Sequence, residues 1–220
     1  MSHAMLRGLY AITPLRMSPG LELAGAVEAA LRGGATLVQY RDKSSNGDKR
    51  EREARTLLQM CRSFGARLII NDDLALADLI GADGVHLGRD DADLSEARRL
   101  LGTKAIIGAS CYNDFECARA ARDSGADYVA FGSFYPSGTK PDAVRASPEL
   151  ISHAKLELRI PVAAIGGITV DNAAPLVAAG ADLLAVVQGL FGQDDIEACA
   201  RQFSVLFRSR AAANDAAAQT

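Results

Sequence analysis

Tryptophan is absent, and Phe and Tyr together supply only 5% of the 220 residues. A base-stacking platform or a large aromatic recognition surface is therefore not expected. A basic excess is missing as well: 24 Lys and Arg stand against 27 Asp and Glu, a net charge of −3. That balance argues against nucleic acid as a partner, which needs a strongly basic face. The four cysteines (Cys61, Cys111, Cys117, Cys199) form no C-x-x-C pair. Neither a zinc site nor a disulfide framework is expected of them, and they read as reduced thiols in a core. No apolar run approaches the ~20 residues of a membrane span. Met1-Ser2-His3-Ala4-Met5 offers no charged segment leading into an apolar one, so no signal peptide and a cytoplasmic location are expected.

What is present is ordinary globular composition, 49% hydrophobic and 23% charged, in a length that suits one domain or at most two small ones. Eight short apolar runs punctuate the chain: 9–12, 36–40, 68–70, 84–87, 105–108, 128–131, 161–165 and 183–187. Their near-continuous hydrophobicity suits strands buried on both faces. Between them lie helical patterns over 21–32, 51–64, 95–101, 113–124, 148–155, 171–179 and 196–208, with a weaker one over 74–80. Asn113 and Asp171 suit helix starts. A faint repeat joins the two patterns. Gly34-Ala35-Thr36, Gly81-Ala82-Asp83, Gly125-Ala126-Asp127 and Gly180-Ala181-Asp182 each close a helix and open a strand. Eight such units without a linker predict an α/β chain folded as a single (β/α)8 TIM barrel over residues 9–210. Residues 1–8 are expected to be flexible and 211–220 a frayed tail. A doubly wound open sheet is the alternative, though it usually stops at five or six strands.

In such a barrel chemistry sits at the carboxyl ends of the strands. Polar residues collect there: Gln39, Arg41, Asp42 and Lys43; Asn71, Asp72 and Asp73; His86, Arg89, Asp90 and Asp91; Ser110; Ser137-Gly138-Thr139-Lys140; Gly166-Gly167; and Val187-Gln188-Gly189. Arg41, Lys43 and Lys140 are cations on three strands, suited to phosphate oxygens. Gly166-Gly167 before Thr169 offers bare N–H groups at a helix start, a phosphate cradle. Asp72 and Asp91 supply carboxylates from adjacent strands, a plausible Mg²⁺ pair. The joint pattern suggests two phosphorylated groups, one of them metal-bound. Each piece alone has a plainer reading. Arg41 and Lys43 suit solvated loop charges, Asp72, Asp90 and Asp93 suit caps or surface, and His86 suits a structural histidine as well as a catalytic one. His153 reads as solvent-facing and Cys111 as packing.

The runs Gln39-Tyr40-Arg41-Asp42-Lys43, Ile69-Ile70-Asn71-Asp72, Gly84-Val85-His86-Leu87-Gly88, Tyr128-Val129-Ala130-Phe131-Gly132, Ser137-Gly138-Thr139-Lys140 and Ala164-Ile165-Gly166-Gly167-Ile168 together resemble the thiamine-phosphate synthase family, in order and spacing from about Leu9 to Phe207. The resemblance implies a transferase that joins a hydroxymethylpyrimidine diphosphate to a hydroxyethylthiazole phosphate and releases pyrophosphate, with Mg²⁺ as cofactor. It implies catalytic roles for Arg41, Lys43, Ser110 and Lys140. Substrate contacts are implied for Gln39, Tyr40, Arg41, Asp42, Lys43, Asn71, Ser110, Ser137, Gly138, Thr139, Lys140, Gly167, Val187 and Gln188, and metal ligation for Asp72 and Asp91. Small-molecule substrates are the only partners implied, with neither nucleic acid nor membrane. An outer helix face suits a homo-oligomer or simple packing equally.

Several residues depart from the family pattern. Asp73 stands where the family usually has Arg, which removes a cation and adds an anion near the metal pair; Arg89 stands where Gln is common and is expected to restore the charge. Ser137-Gly138-Thr139 replaces the commoner Thr-x-Thr, and Gln188 the usual Ser. Three rival readings exist. The sister thiazole tautomerase carries a catalytic His where this chain has Tyr112. A non-catalytic thiazole-phosphate binder would usually have lost the carboxylates or cations. A phosphosugar isomerase or aldolase would leave Asn71, Asp72 and Asp91 unexplained.

Overall fold

The computed structural model describes residues 6–88, 91, 93–136 and 144–217. The strands are β1 (Gly8–Ile12), β2 (Ala35–Tyr40), β3 (Arg67–Asn71), β4 (Gly84–Leu87), β5 (Ile106–Tyr112), β6 (Tyr128–Phe131), β7 (Val162–Ile165) and β8 (Leu183–Val186). Alternating with them are α1 (Leu23–Arg32), α2 (Gly47–Ser63), α3 (Leu74–Ile80), α4 (Leu94–Leu101), α5 (Phe115–Asp123), α6 (Pro148–Leu158) and α7 (Val170–Ala179). A one-turn helix α8 (Gln188–Phe191) and the long α9 (Ile196–Ala217) follow β8. Each strand pairs in parallel with the next, and β8 pairs with β1, closing the barrel in sequence order.

Strand alternation builds two cores. Outward-facing Leu9, Val38, Leu68, Val85, Ile107, Val129, Ala164 and Leu184 pack under the helices. Inward-facing Tyr10, Leu37, Ile69, Ile106, Tyr128, Ala130, Ala163, Leu183 and Ala185 fill the barrel. The interior is uneven, because Ala130, Ala163 and Ala185 are small and leave room for two tyrosines. Tyr10 and Tyr128 meet edge to face with ring centroids 5.9 Å apart, an arrangement their ring quadrupoles favour.

Element ends differ from the sequence expectation where capping chemistry decides. Helix α5 begins at Phe115 with Asp114 as its cap, accepting from the Cys117 N–H at 3.0 Å, rather than starting at Asn113. Helix α7 starts at Val170, one residue before Asp171. Thr169 is its cap, and Asn172 Oδ1 closes the box on the Thr169 N–H at 2.8 Å. Strand β5 runs four residues past its apolar stretch, because polar Ser110 and Tyr112 belong to the barrel mouth rather than a loop. Leu6 is buried and β1 opens at Gly8. Helix α9 runs to Ala217. All four cysteines are free thiols, and burial pushes Cys61 up to about 12. Among the described residues no helix is long and apolar enough to cross a membrane.

Candidate active site

A cavity of about 240 Å³ opens at the carboxyl ends of the strands. Its wall includes Gln39 on β2 and Arg41 just after it, Asn71 on β3, His86 on β4, Ser110 on β5, Gly167 after β7, and Val187 and Gln188 after β8. These sequence-expected positions therefore share one pocket. The barrel mouth places them there for a simple reason: inward parity on each strand carries the side chain to the axis.

Parity also separates the run 39–43. Gln39 and Arg41 face the cavity. Tyr40 faces the helix layer, where its hydroxyl donates to Glu53 Oε2 at 2.7 Å. Asp42 accepts from the Ser44 N–H at 2.6 Å and is ion-paired with Lys49. Burial alone would raise the Asp42 carboxyl, but Lys49 and the Ser44 N–H hold it at about 2. The structure thus does not bring Tyr40 and Asp42 to the cavity. It uses them to fasten the β2 end to α2. The Arg41 backbone is fixed from the other side, its N–H donating to Thr13 Oγ1 at 2.8 Å while the Thr13 N–H donates to Gln39 O at 2.9 Å.

Beyond Arg41 and Asn71 the rim becomes ionic. Lys43 Nζ lies 3.3 Å from Asp72 Oδ2. Asp72 itself has φ 61°, a left-handed turn that Asp tolerates better than most residues, and its N–H donates to His86 O at 2.9 Å. That turn swings its carboxylate off the strand toward β4. Asp91 Oδ2 accepts from the Gly88 N–H at 2.6 Å. Burial raises the Asp91 carboxyl, the Gly88 N–H opposes that, and the adjacent Asp72 carboxylate raises it further. Two carboxylates held at mutual cost, all oxygen donors, fit a hard divalent cation. Among the described residues no group of three or more His, Cys, Asp or Glu could hold a metal, and Asp72 and Asp91 are the pair that would contribute carboxylates to Mg²⁺.

Asp73, expected to add an anion here, is engaged elsewhere. Its Oδ1 caps α3 by accepting from the Leu76 N–H at 2.8 Å, and its Oδ2 pairs with Arg50 at 2.5 Å. Asp73, not Asp72, is thus the cap of α3, and Asp93 caps α4. His153 is exposed, its ring 4.3 Å from that of Phe115. The expected roles of Ser137, Gly138, Thr139, Lys140 and Arg89 fall outside the described residues.

On the far side of the cavity, Gly166 and Gly167 adopt φ 105° and 63°, conformations that glycine tolerates. A Cβ on Gly167 would lie 2.3 Å from Pro136 O, so the backbone is bare by necessity. Val187 and Gln188 enter α8, the helical turn whose four residues gave no periodic signal in the sequence.

Sequence reading missed the floor of the site. Tyr10 and Tyr128 line or underlie the cavity, and Tyr112 and Ser133 join its wall. His86, left open between structural and catalytic, is a buried link. Its Nδ1 is 2.8 Å from Tyr128 Oη and its Nε2 is 2.8 Å from Ser110 Oγ. Burial lowers the imidazole to about 4, the Asp91 charge opposing it weakly, so the ring is neutral. The available signal was parity: Tyr10, His86, Ser110 and Tyr128 all occupy inward positions.

Comparison with known proteins shows the family. The family model described as thiamine monophosphate synthase matches residues 9–190. A thiamine-phosphate synthase of Thiobacillus denitrificans is 56% identical over 201 residues, covering 91% of this chain and 94% of its own. One from Thioalkalivibrio sulfidiphilus is 54% identical over 202 residues, covering 92% and 96%. Among solved structures, the thiamine phosphate pyrophosphorylase of Pyrococcus furiosus superposes with a TM-score of 0.82 at 33% identity, over 92% of this chain and 96% of that one. On this family match and these relatives, the chain belongs to the thiamine-phosphate synthase family of transferases.

Proposed function

We propose that the pocket condenses 4-amino-2-methyl-5-hydroxymethylpyrimidine diphosphate with 4-methyl-5-(2-phosphooxyethyl)thiazole, giving thiamine phosphate and pyrophosphate. The observation that carries this reading is the polarity of the site. One pocket lies between a cation- and carboxylate-bearing rim at β2, β3 and β4 and a bare-backbone rim after β7 and β8. A diphosphate suits the first rim and a monophosphate the second, where barrels of this kind often bind phosphate. The two organic rings would then meet between them.

The bond that breaks joins the pyrimidine's exocyclic methylene to the diphosphate oxygen. The bond that forms joins the same carbon to the thiazole nitrogen, whose lone pair supplies the electrons. By resemblance to the family the path is dissociative, so charge develops on the departing diphosphate before attack. Arg41 and Lys43 are the described cations that would meet that charge, and stabilising it is where most of the catalysis is assigned. Asp72 and Asp91 would hold Mg²⁺, which supplies Lewis-acid stabilisation of the leaving group when bound. Gln39, Asn71 and Ser110 orient the pyrimidine, and Gly167 with the Val187-Gln188 backbone receives the thiazole phosphate. Ser137 to Lys140 belong to the same reading by resemblance. A reducing, cytoplasmic setting suits the free thiols.

The test is a coupled turnover assay with both substrates, in Mg²⁺ or EDTA, scoring thiamine phosphate and pyrophosphate. Metal-dependent product that disappears in Asp72→Ala and Asp91→Ala is expected. Absence of product from the folded wild-type chain with Mg²⁺ overturns the reading.

A further inference from the structure

Five side chains from five strands form one unbroken line of hydrogen bonds across the barrel beneath the cavity. Gln39 Nε2 donates to Tyr10 Oη at 2.7 Å, and Tyr10 Oη is 2.8 Å from Tyr128 Oη. Tyr128 Oη is 2.8 Å from His86 Nδ1, and His86 Nε2 is 2.8 Å from Ser110 Oγ. Tyr10, Tyr128 and His86 are buried, and Tyr10 and His86 join the two ends, Gln39 and Ser110, in the cavity wall.

Proton counting fixes the direction of the whole line. A phenol has one proton, and a buried hydroxyl proton without an acceptor is costly. The Tyr10 hydroxyl accepts from Gln39, and its one remaining hydrogen-bonded neighbour among the described residues is the Tyr128 oxygen, so it donates there. Tyr128 then has its proton for His86 Nδ1. A neutral imidazole that accepts at Nδ1 carries its proton at Nε2 and gives it to Ser110 Oγ. The Ser110 hydroxyl, having accepted, turns its own proton to the cavity. At the opposite end Gln39 has spent an N–H on Tyr10, which leaves its carbonyl oxygen for the cavity.

We propose that Tyr10, Tyr128 and His86 are positioning residues that lock the two cavity ends into opposite polarity, an acceptor at Gln39 and a donor at Ser110, and thereby select the 4-amino over the 4-oxo pyrimidine. The inference rests on the synthase reading for the identity of the ligand. A 4-aminopyrimidine ring presents an exocyclic N–H donor on one side and a ring-nitrogen acceptor across from it, which suits an acceptor and a donor at opposite ends of the line. The 4-oxo ring presents a carbonyl acceptor in place of that donor and mismatches the Gln39 end. Reversing one end requires reversing every link, including the histidine tautomer and the glutamine amide. The cost of reversal is shared in this way by residues beyond the two ends.

Two measurements test it. The first needs no substrate: nitrogen-15 NMR of the histidine-labelled full chain, in which only three histidines contribute. The Nε2–H tautomer of His86 is expected at neutral pH, and the Nδ1–H tautomer or a charged ring overturns the proposal. The second is the ratio of kcat/KM for the 4-amino and 4-oxo pyrimidine diphosphates. The wild type should favour the amino compound, and Tyr128→Phe, which cuts the line, should lower that ratio by about tenfold or more. General loosening of the site would slow both compounds and leave the ratio standing, so an unchanged ratio in a folded variant overturns the line. Tyr10→Phe cuts it at another point and should act in the same direction, which covers a Tyr128→Phe chain that fails to fold. A wild type that condenses neither compound removes the synthase reading and the ligand assignment together; turnover with an unchanged ratio removes the line alone.

Discussion

Gly108 of β5 stands directly opposite Tyr128 of β6, and a Cβ on Gly108 would lie 2.1 Å from the Tyr128 ring carbon that bears the hydroxyl. The tyrosine's path to His86 therefore runs over a residue with no side chain. Gly108→Ala should force the ring aside. Overpacking of this kind costs about 1–3 kcal/mol, and displacement of the hydroxyl should lower turnover as well. A denaturation midpoint and a steady-state assay on the same variant check both effects. Wild-type values in each would mean that the ring has free space that this packing denies it.

Tyr40 and Gln39 are adjacent in sequence and opposite in fate. Tyr40→Phe removes the hydrogen bond to Glu53 in the helix layer and should cost about 1 kcal/mol of stability. Its Michaelis constants should stay at the wild-type level, while those of Gln39→Ala for the pyrimidine diphosphate should rise. A raised constant in Tyr40→Phe would put its side chain back in the site.

That contrast marks how far the sequence could be read. The eight units were legible because buried parallel strands are apolar throughout and helices are not. The same continuity hid which residues face inward, since an outward Tyr40 and an inward Tyr10 look alike in an apolar run. The rim of Arg41, Lys43, Asp72 and Asp91 was legible as charge at strand ends. Of the floor only His86 drew notice, with its role left open, because two tyrosines in apolar runs give no polar signal. Helix α8 escaped because one turn carries no period.

Asp73 illustrates a charge whose role position alone cannot assign. Its carboxylate caps α3 and pairs with Arg50, whose Nε is buried without a hydrogen-bond partner. Asp73→Ala should lose a cap worth about 1 kcal/mol and leave the Arg50 guanidinium without its carboxylate. The expected result is a lower denaturation midpoint with the Mg²⁺ concentration for half-maximal turnover unchanged. A shifted Mg²⁺ requirement would show that this carboxylate acts on the metal pair after all.

His86 gives the fold a pH dependence of definite sign. The free imidazole titrates near 6.5, and burial lowers it to about 4 in the folded chain. The fold therefore favours the neutral ring. Its contribution is fully present above 6.5 and is lost progressively as the pH falls from there through 4. A separation of that size is worth on the order of 3 kcal/mol at neutral pH. Carboxylates also titrate over the lower part of this window, so the comparison must be internal. Denaturation midpoints of the wild type and of His86→Gln, measured between pH 7 and pH 4, separate the two sources. The amide keeps hydrogen-bonding capacity but cannot take up the proton. The wild type should lose stability faster than the variant as the pH falls below 6.5, with the difference between them shrinking toward pH 4. Parallel curves across the window would mean that the ring is hydrated enough to charge in place, and the buried neutral histidine would have to be abandoned.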